Sequence, residues 1–174
     1  MLDGTRALEL RWASPSDDPQ ALVGFFVGNV SPDYISQGEI QDGRASVAGV
    51  WSSNLHSILL RQFGAACRRL PEGNYDETRI ALANDQAKQL TALGYVGIDR
   101  SSSIASATLY DLLVRTDARG SGAGSDVLEW IERQLHAEKI KFLFLETAMR
   151  NRRAQAFFEH AGFVAVSVNC MKEL

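Results

Sequence analysis

Val114-Arg115-Thr116-Asp117-Ala118-Arg119-Gly120-Ser121-Gly122-Ala123-Gly124 is the stretch on which the fold turns. Upstream, Ala107 to Val114 reads as a strongly apolar strand. Downstream, Val127, Leu128, Ile131 and Leu135 recur at helical spacing, which predicts a helix over roughly Ser125 to Glu138. A strand therefore ends in a glycine-rich turn that opens a helix. Glycines let the backbone approach a ligand with no side chain in the way. The first helical turn has free N–H groups and the positive end of the helix dipole. Together these suit an anion, a diphosphate in particular, and Arg119 adds a charge-assisted contact. The plainer alternative, glycine for clearance where a helix packs against a sheet, stays open on these residues alone.

Two nucleotide folds compete and fail on position. A dinucleotide fingerprint needs a glycine where Ser125 stands, and it expects the turn after the first strand with most of a parallel sheet still to come. Only 50 residues follow Gly124. A P-loop needs Gly-Lys-Ser/Thr, which is absent.

Working outward, Phe142-Leu143-Phe144-Leu145 predicts a buried strand. Arg152 to Ala161 predicts a short helix with Gly162 at the left-handed position beyond its end. Phe163 to Met171 alternates apolar residues and predicts a last strand. In the other direction, Arg79–Ala83 and Leu90–Ile98 predict adjacent strands, and Asp99-Arg100-Ser101-Ser102-Ser103 a polar turn. A helix is expected from near Ser53 to Leu70, with Leu55, Ile58, Leu59 and Phe63 on one face. Ser31 and Pro32 mark a helix start, and a further helix runs through Ala21–Val27 to Gly28-Asn29. Leu8–Trp12 predicts the first strand. Residues 35–51 carry no firm assignment. The order of elements, mixed helix and strand with successive strands in the middle, argues an α+β fold around a mixed sheet flanked by helices, not strict βαβ alternation. One domain over 1–174 is expected.

Composition bounds the function. The chain has 174 residues, enough to bury a core without disulfides or metal. Its 45% apolar and 22% charged residues exclude a disordered chain. Eighteen Lys and Arg against 21 Asp and Glu give a net charge of −3, so no basic face for nucleic acid is expected. No stretch approaches the ~18 apolar residues of a membrane span. Met1–Arg6 lacks the pattern of a signal peptide. Cys67 and Cys170 are expected as reduced thiols, with no metal site, in a cytoplasmic protein.

A second motif completes the picture: Asn151-Arg152-Arg153-Ala154-Gln155-Ala156-Phe157-Phe158-Glu159-His160-Ala161-Gly162-Phe163. With the glycine turn before it, the region from Ala107 to Phe163 resembles the GNAT N-acetyltransferase superfamily. That family's loop pattern, Gln/Arg-x-x-Gly-x-Gly/Ala, is met by Arg119 to Gly124. Its second pattern is met at Asn151, Ala154, Phe157, Gly162 and Phe163. The resemblance implies a mixed, mostly antiparallel central sheet flanked by helices and splayed between two central strands, with acceptor-side helices in 1–78 and an acetyl-CoA-binding core in 79–174. It also implies acetyl-CoA as cosubstrate, no metal, and transfer to a primary amine by direct attack in a ternary complex. The amides of Arg119, Gly120, Ser121, Gly122, Ala123 and Gly124 would then hold the pyrophosphate. Leu113 and Val114 would pair with the pantetheine arm, and an N–H near Val114 would stabilise the oxyanion. Asn151 would bond the pantetheine, with Phe157 and Phe158 against the cofactor.

The family often has Tyr where Phe158 stands, as a proton donor to the departing thiolate. Water, Tyr110, Tyr34 or Cys170 are the substitutes within the sequence. A second class of function therefore stays open, a non-catalytic acyl-CoA-binding or regulatory module. A carboxylate is wanted near the amine, because a lysine-like amine has a pKa near ~10.4 and reacts only when neutral. Asp111, set among Leu109, Tyr110, Leu112 and Leu113, is the first candidate, and Glu146 at the end of the facing strand the second. Tyr34, Glu39 and Trp51 are expected to line the acceptor wall. The acceptor, a small-molecule or peptide amine, is left undefined, as are acyl length and oligomeric state, a homodimer included.

Overall fold

The computed structural model describes residues 7–174; the expectation about Met1–Arg6 lies outside them. Ten regular elements follow in chain order: β1 (Glu9–Trp12), α1 (Pro19–Asn29), α2 (Gln37–Gln41), α3 (Leu55–Cys67), β2 (Glu77–Asn84), β3 (Leu90–Asp99), β4 (Ser106–Val114), α4 (Ala123–Ala137), β5 (Phe142–Leu145) and α5 (Arg152–His160). The strands form one sheet in the order β1-β2-β3-β4-β5. Each pair is antiparallel except β4 and β5, which are parallel. The expected α+β class with a mixed, mostly antiparallel sheet is what forms.

Helices cover both faces. On one, Phe26 of α1, Leu59 and Phe63 of α3 and Tyr95 of β3 build a cluster of edge-to-face rings with centroids 5.6 to 6.1 Å apart. On the other, Val127, Leu128, Ile131 and Leu135 of α4 bury their stripe against Ala81, Ala92 and Val96. Each such buried side chain contributes about 1.5–3 kcal/mol relative to exposure. Gly94 is what allows α4 so close: a Cβ there would sit 2.7 Å from the Ile131 Cδ1. The far end of α4 is fixed by Arg79, whose Nη1 donates to Glu138 at 2.6 Å.

The parting of β4 and β5 positions the site. Their ladder runs only from Ser106↔Phe142 to Leu109↔Leu145. Beyond it β4 continues through 110–114 with no β5 partner, so a cleft opens between the two.

Two expectations at this edge are corrected. Phe142–Leu145 is an edge strand, not a buried central one, and Phe142 and Phe144 are 45% and 46% exposed. Phe163 to Met171 forms no strand. Its alternation of Val164, Val166 and Val168 is present, but these side chains are exposed and no residue of the segment enters a ladder. Alternation prepares one face of a strand; only pairing with an edge makes one.

Candidate functional site

A cavity of about 510 Å³ lies where β4 and β5 part. Its walls come from three places: the end of β4, the turn and first residues of α4, and residues 29–39, with Asn151, Phe157 and Phe158 of α5 closing one side.

The glycine turn is built as an open cradle. Gly120 and Gly122 have φ of +82° and +91°, a region that side-chain-bearing residues rarely adopt, and a Cβ at either would meet nothing within 4 Å. Gly122 is the N-cap of α4. The first intrahelical bond runs from Asp126 N–H to Gly122 O. The amides of Ala123, Gly124 and Ser125 thus precede the helix's own ladder, at the positive end of a 15-residue helix. At Gly124 a Cβ would lie 3.4 Å from Val114 Cγ2 and 3.7 Å from Phe157 Cζ, ordinary packing contact.

Ser121 turns inward, its hydroxyl donating to Ala118 O at 2.6 Å. The Arg119 side chain does not stand free either. Its Nε donates to Val114 O at 3.3 Å and its Nη2 to Asn29 O, tying the turn to β4 and α1. Asn151 caps α5, with Oδ1 accepting from Ala154 N–H at 3.1 Å, and still lines the cavity. Leu113 and Val114 line it. Phe158 packs edge-on to Phe157 and Phe163, at 5.0 and 5.6 Å.

On β4 the amide of Arg115 bonds back to Thr91 O of the β3 side. Amide direction alternates along a strand, so the amides of Leu112 and Val114 face the cleft. Leu112 N–H donates to the Tyr34 hydroxyl at 3.1 Å. Burial, then the charges of Asp111 and Glu39, push the Tyr34 phenol well above its ordinary pKa, so it is a neutral O–H.

The carboxylates divide sharply. Asp111, the first candidate for proton chemistry, is fully buried and outside the cavity wall. Arg44, 1% exposed, grips it through Nη1 at 3.2 and 2.9 Å. The same guanidinium donates from Nε and Nη2 to Gln62 Oε1 at 2.9 and 2.7 Å and lies 5.9 Å above the Phe26 and Tyr95 rings. Gln62 in turn donates to Asp42 at 3.2 Å. Burial opposes the charge on Arg44, but Asp111 outweighs it and raises the pKa. Asp111 is thus a structural anion that pins the loop after α2 to β4, which corrects the catalytic expectation. A carboxylate in an apolar strand needs such a partner. That need was the one sequence signal for Arg44.

Glu146 does line the cavity, but it bridges it: Oε1 accepts from Gln37 N–H of α2 at 2.8 Å, and Asn169 reaches Oε2 at 3.4 Å. Glu39 lines the cavity and is 5% exposed. Ser36 donates to its Oε2 twice, from N–H and from the hydroxyl, each at 2.7 Å, in a capping box. Burial first, then the charge of Asp111, raises its pKa, against the Ser36 bonds that lower it. Trp51, expected at the acceptor wall, lies outside it and packs edge-on to Phe26 at 6.1 Å. Among the described residues no group of His, Cys, Asp and Glu is placed to hold a metal, and Cys67 and Cys170 are free thiols. No described helix is long and apolar enough to cross a membrane.

Comparison with known proteins fits this geometry. The model of the acetyltransferase (GNAT) family matches residues 52–163. No curated protein matches the chain. Among solved structures, a tetramutant of a Bacillus halodurans protein is similar at 17% identity and a TM-score of 0.68, covering 95% of this chain and 99% of that one. An aminoglycoside N-acetyltransferase in complex with CoA is similar at 9% identity and 0.66, covering 100% and 99%. An aminoglycoside acetyltransferase from an uncultured soil metagenomic sample, in complex with sisomicin, is similar at 13% identity and 0.62, covering 96% of each. At these identities the likeness is one of fold.

Proposed function

The chain belongs to the acetyltransferase (GNAT) family, and on that premise we propose that it moves an acetyl group from acetyl-CoA to a primary amine by direct attack in a ternary complex. One observation carries the reading. The open cradle at the start of α4 and the cleft-facing amides of β4 line the same cavity. The cradle fits a pyrophosphate, because backbone donors and the helix dipole converge there and no Cβ fills the space over Gly120 and Gly122. The amides of Leu112 and Val114 lie further in, suited to the pantetheine amides and the thioester carbonyl. A donor preset where negative charge develops is worth about 2.7–4 kcal/mol in the transition state. Holding amine and thioester together in the cleft supplies much of the remainder. The sequence from 1 to 78 would serve the acceptor and that from 79 to 174 the cofactor.

Phe158 favours a second reading, an acyl-CoA-binding module without turnover, since it carries no proton for the thiolate. A thiol pKa near ~8.5 makes the thiolate a tolerable leaving group at neutral pH, so the enzyme reading stands without that donor.

The test is direct. Acetyl-CoA at 100 times its Kd is expected to stabilise the protein by about 2.7 kcal/mol, seen as a rise in Tm, and NAD to have no effect. With acetyl-CoA and a panel of primary amines, CoA release is expected from at least one. An unmoved Tm would defeat the cofactor assignment. A raised Tm with no CoA release across the panel would select the binding module.

A further inference from the structure

We propose that Glu39 is the catalytic base, the group that takes the proton from the acceptor amine. This rests on the acetyltransferase reading given above and assigns it a residue. Three carboxylates line the cavity: Asp33, Glu39 and Glu146. Asp33 is exposed. Glu146 has Gln37 N–H on one oxygen and Asn169 on the other. Glu39 alone is buried, and both of its Ser36 contacts land on Oε2. The capping box fixes the side chain by one oxygen and leaves Oε1 for a ligand. A base held in one rotamer by its own helix start is preorganised.

The surroundings favour a proton acceptor. The groups that act on Glu39 are Asp111 from β4, Arg44 from the loop after α2, and Ser36 from its own turn. Tyr34 is within reach of its charge, and Asp33 and Glu146 share its cavity. Burial and Asp111 disfavour the carboxylate, which moves its proton affinity toward that useful at neutral pH. Arg44 lowers it, but more weakly than burial and Asp111 raise it.

The amine lone pair forms the N–C bond at the thioester carbonyl carbon. The C–S bond breaks and its electron pair leaves on sulfur. The proton shed by nitrogen goes to Glu39 Oε1. The products are the acetamide, the CoA thiolate and a neutral Glu39, which returns its proton to the thiolate or to water as they leave.

Glu39→Gln separates this role from the cap. Its amide oxygen still accepts from Ser36, while its basicity is gone. Expected are an unchanged Tm rise with acetyl-CoA, a fall in kcat/KM of about 100-fold or more, and loss of the acid limb of the pH profile. In the parent that limb lies above the ordinary carboxylate pKa, because activity requires the ionised form and the folded protein holds the proton more tightly. Ser36→Ala is the second variant: it keeps the base and removes a hydroxyl that stabilises the carboxylate, so the acid limb should move to higher pH. A purely structural Glu39 would move neither limb. If Glu39→Gln turns over within tenfold of the parent with its acid limb in place, the assignment is overturned and the acetyltransferase reading survives. If the parent transfers to no amine, the reading falls and the assignment with it.

Discussion

On one side of the cleft, the turn before α4 and the end of β4 present main-chain amides to the cavity. On the other, residues 31–39 present side chains, and the Ala45 N–H to Glu39 O bond joins them to the buried network of Arg44, Gln62 and Asp111. The first wall is local: Gly120, Gly122 and the amides of Ala123, Gly124 and Ser125 fall within six consecutive residues. The second is assembled at long range, with Arg44 and Asp111 separated by 67 positions, Tyr34 and Leu112 by 78, Gln37 and Glu146 by 109. A backbone site is thereby robust to neighbouring side chains and tied to glycine. A side-chain site depends on a buried network that must be complete.

The largest effect should come from breaking that network. Arg44→Ala leaves Asp111 fully buried without its cation, and Gln62 without its donor. Removing one partner of a buried pair costs about 3–5 kcal/mol. Urea unfolding should report a loss of that size for Arg44→Ala. Arg44→Met combined with Asp111→Leu should recover most of it, because an apolar replacement of both charges removes the desolvation cost as well. A loss below about 1 kcal/mol for Arg44→Ala would mean this wall does not hang on the pair.

That contrast also explains what the sequence disclosed. Glycine turn, helix stripe and apolar β4 were legible because each is a local pattern with one physical cause. Asp111 in its apolar strand signalled a need, but two answers satisfy it, a catalytic role or a buried cation. Only the contact with Arg44, an unremarked residue in an unassigned stretch, decides between them. Trp51 was misplaced for the same reason, since aromatic character does not say which side of α1 a ring will pack on. The tail fails differently. Val164, Val166 and Val168 have the period of a strand, but the ladder partner is a non-local fact. Phe142–Leu145 has the apolarity of a buried strand and stands at the edge.

A middle-sized effect, confined to the other wall, is expected from Gly122→Glu. At φ +91° a side chain strains the backbone by about 1–2 kcal/mol, so stability should fall modestly. Binding should fall far more, because a carboxylate then sits at the mouth of the anion cradle. The Tm rise with acetyl-CoA should vanish, while the Arg44 variants that still fold keep it. If Gly122→Glu retains the full shift, the diphosphate is not held at α4 and the two walls have been assigned the wrong way round.

The smallest effect tests where the walls meet. Tyr34, from the side-chain wall, accepts the hydrogen bond of Leu112 N–H, from the backbone wall. An amide has one hydrogen to give, so a thioester oxygen that uses Leu112 N–H must displace the phenol from it. CoA has no thioester carbonyl and makes no such demand. Tyr34→Phe removes the competitor and should cost the unliganded protein about 0.5–1.5 kcal/mol, the net worth of one hydrogen bond. Acetyl-CoA should then bind tighter by about the same free energy, a few-fold to roughly tenfold in Kd, with CoA unchanged. Titration calorimetry of both ligands against parent and variant measures the difference. Equal changes for the two would show that the amide freed at Leu112 is not the one the thioester uses, and would move the oxyanion donor along the strand to Val114.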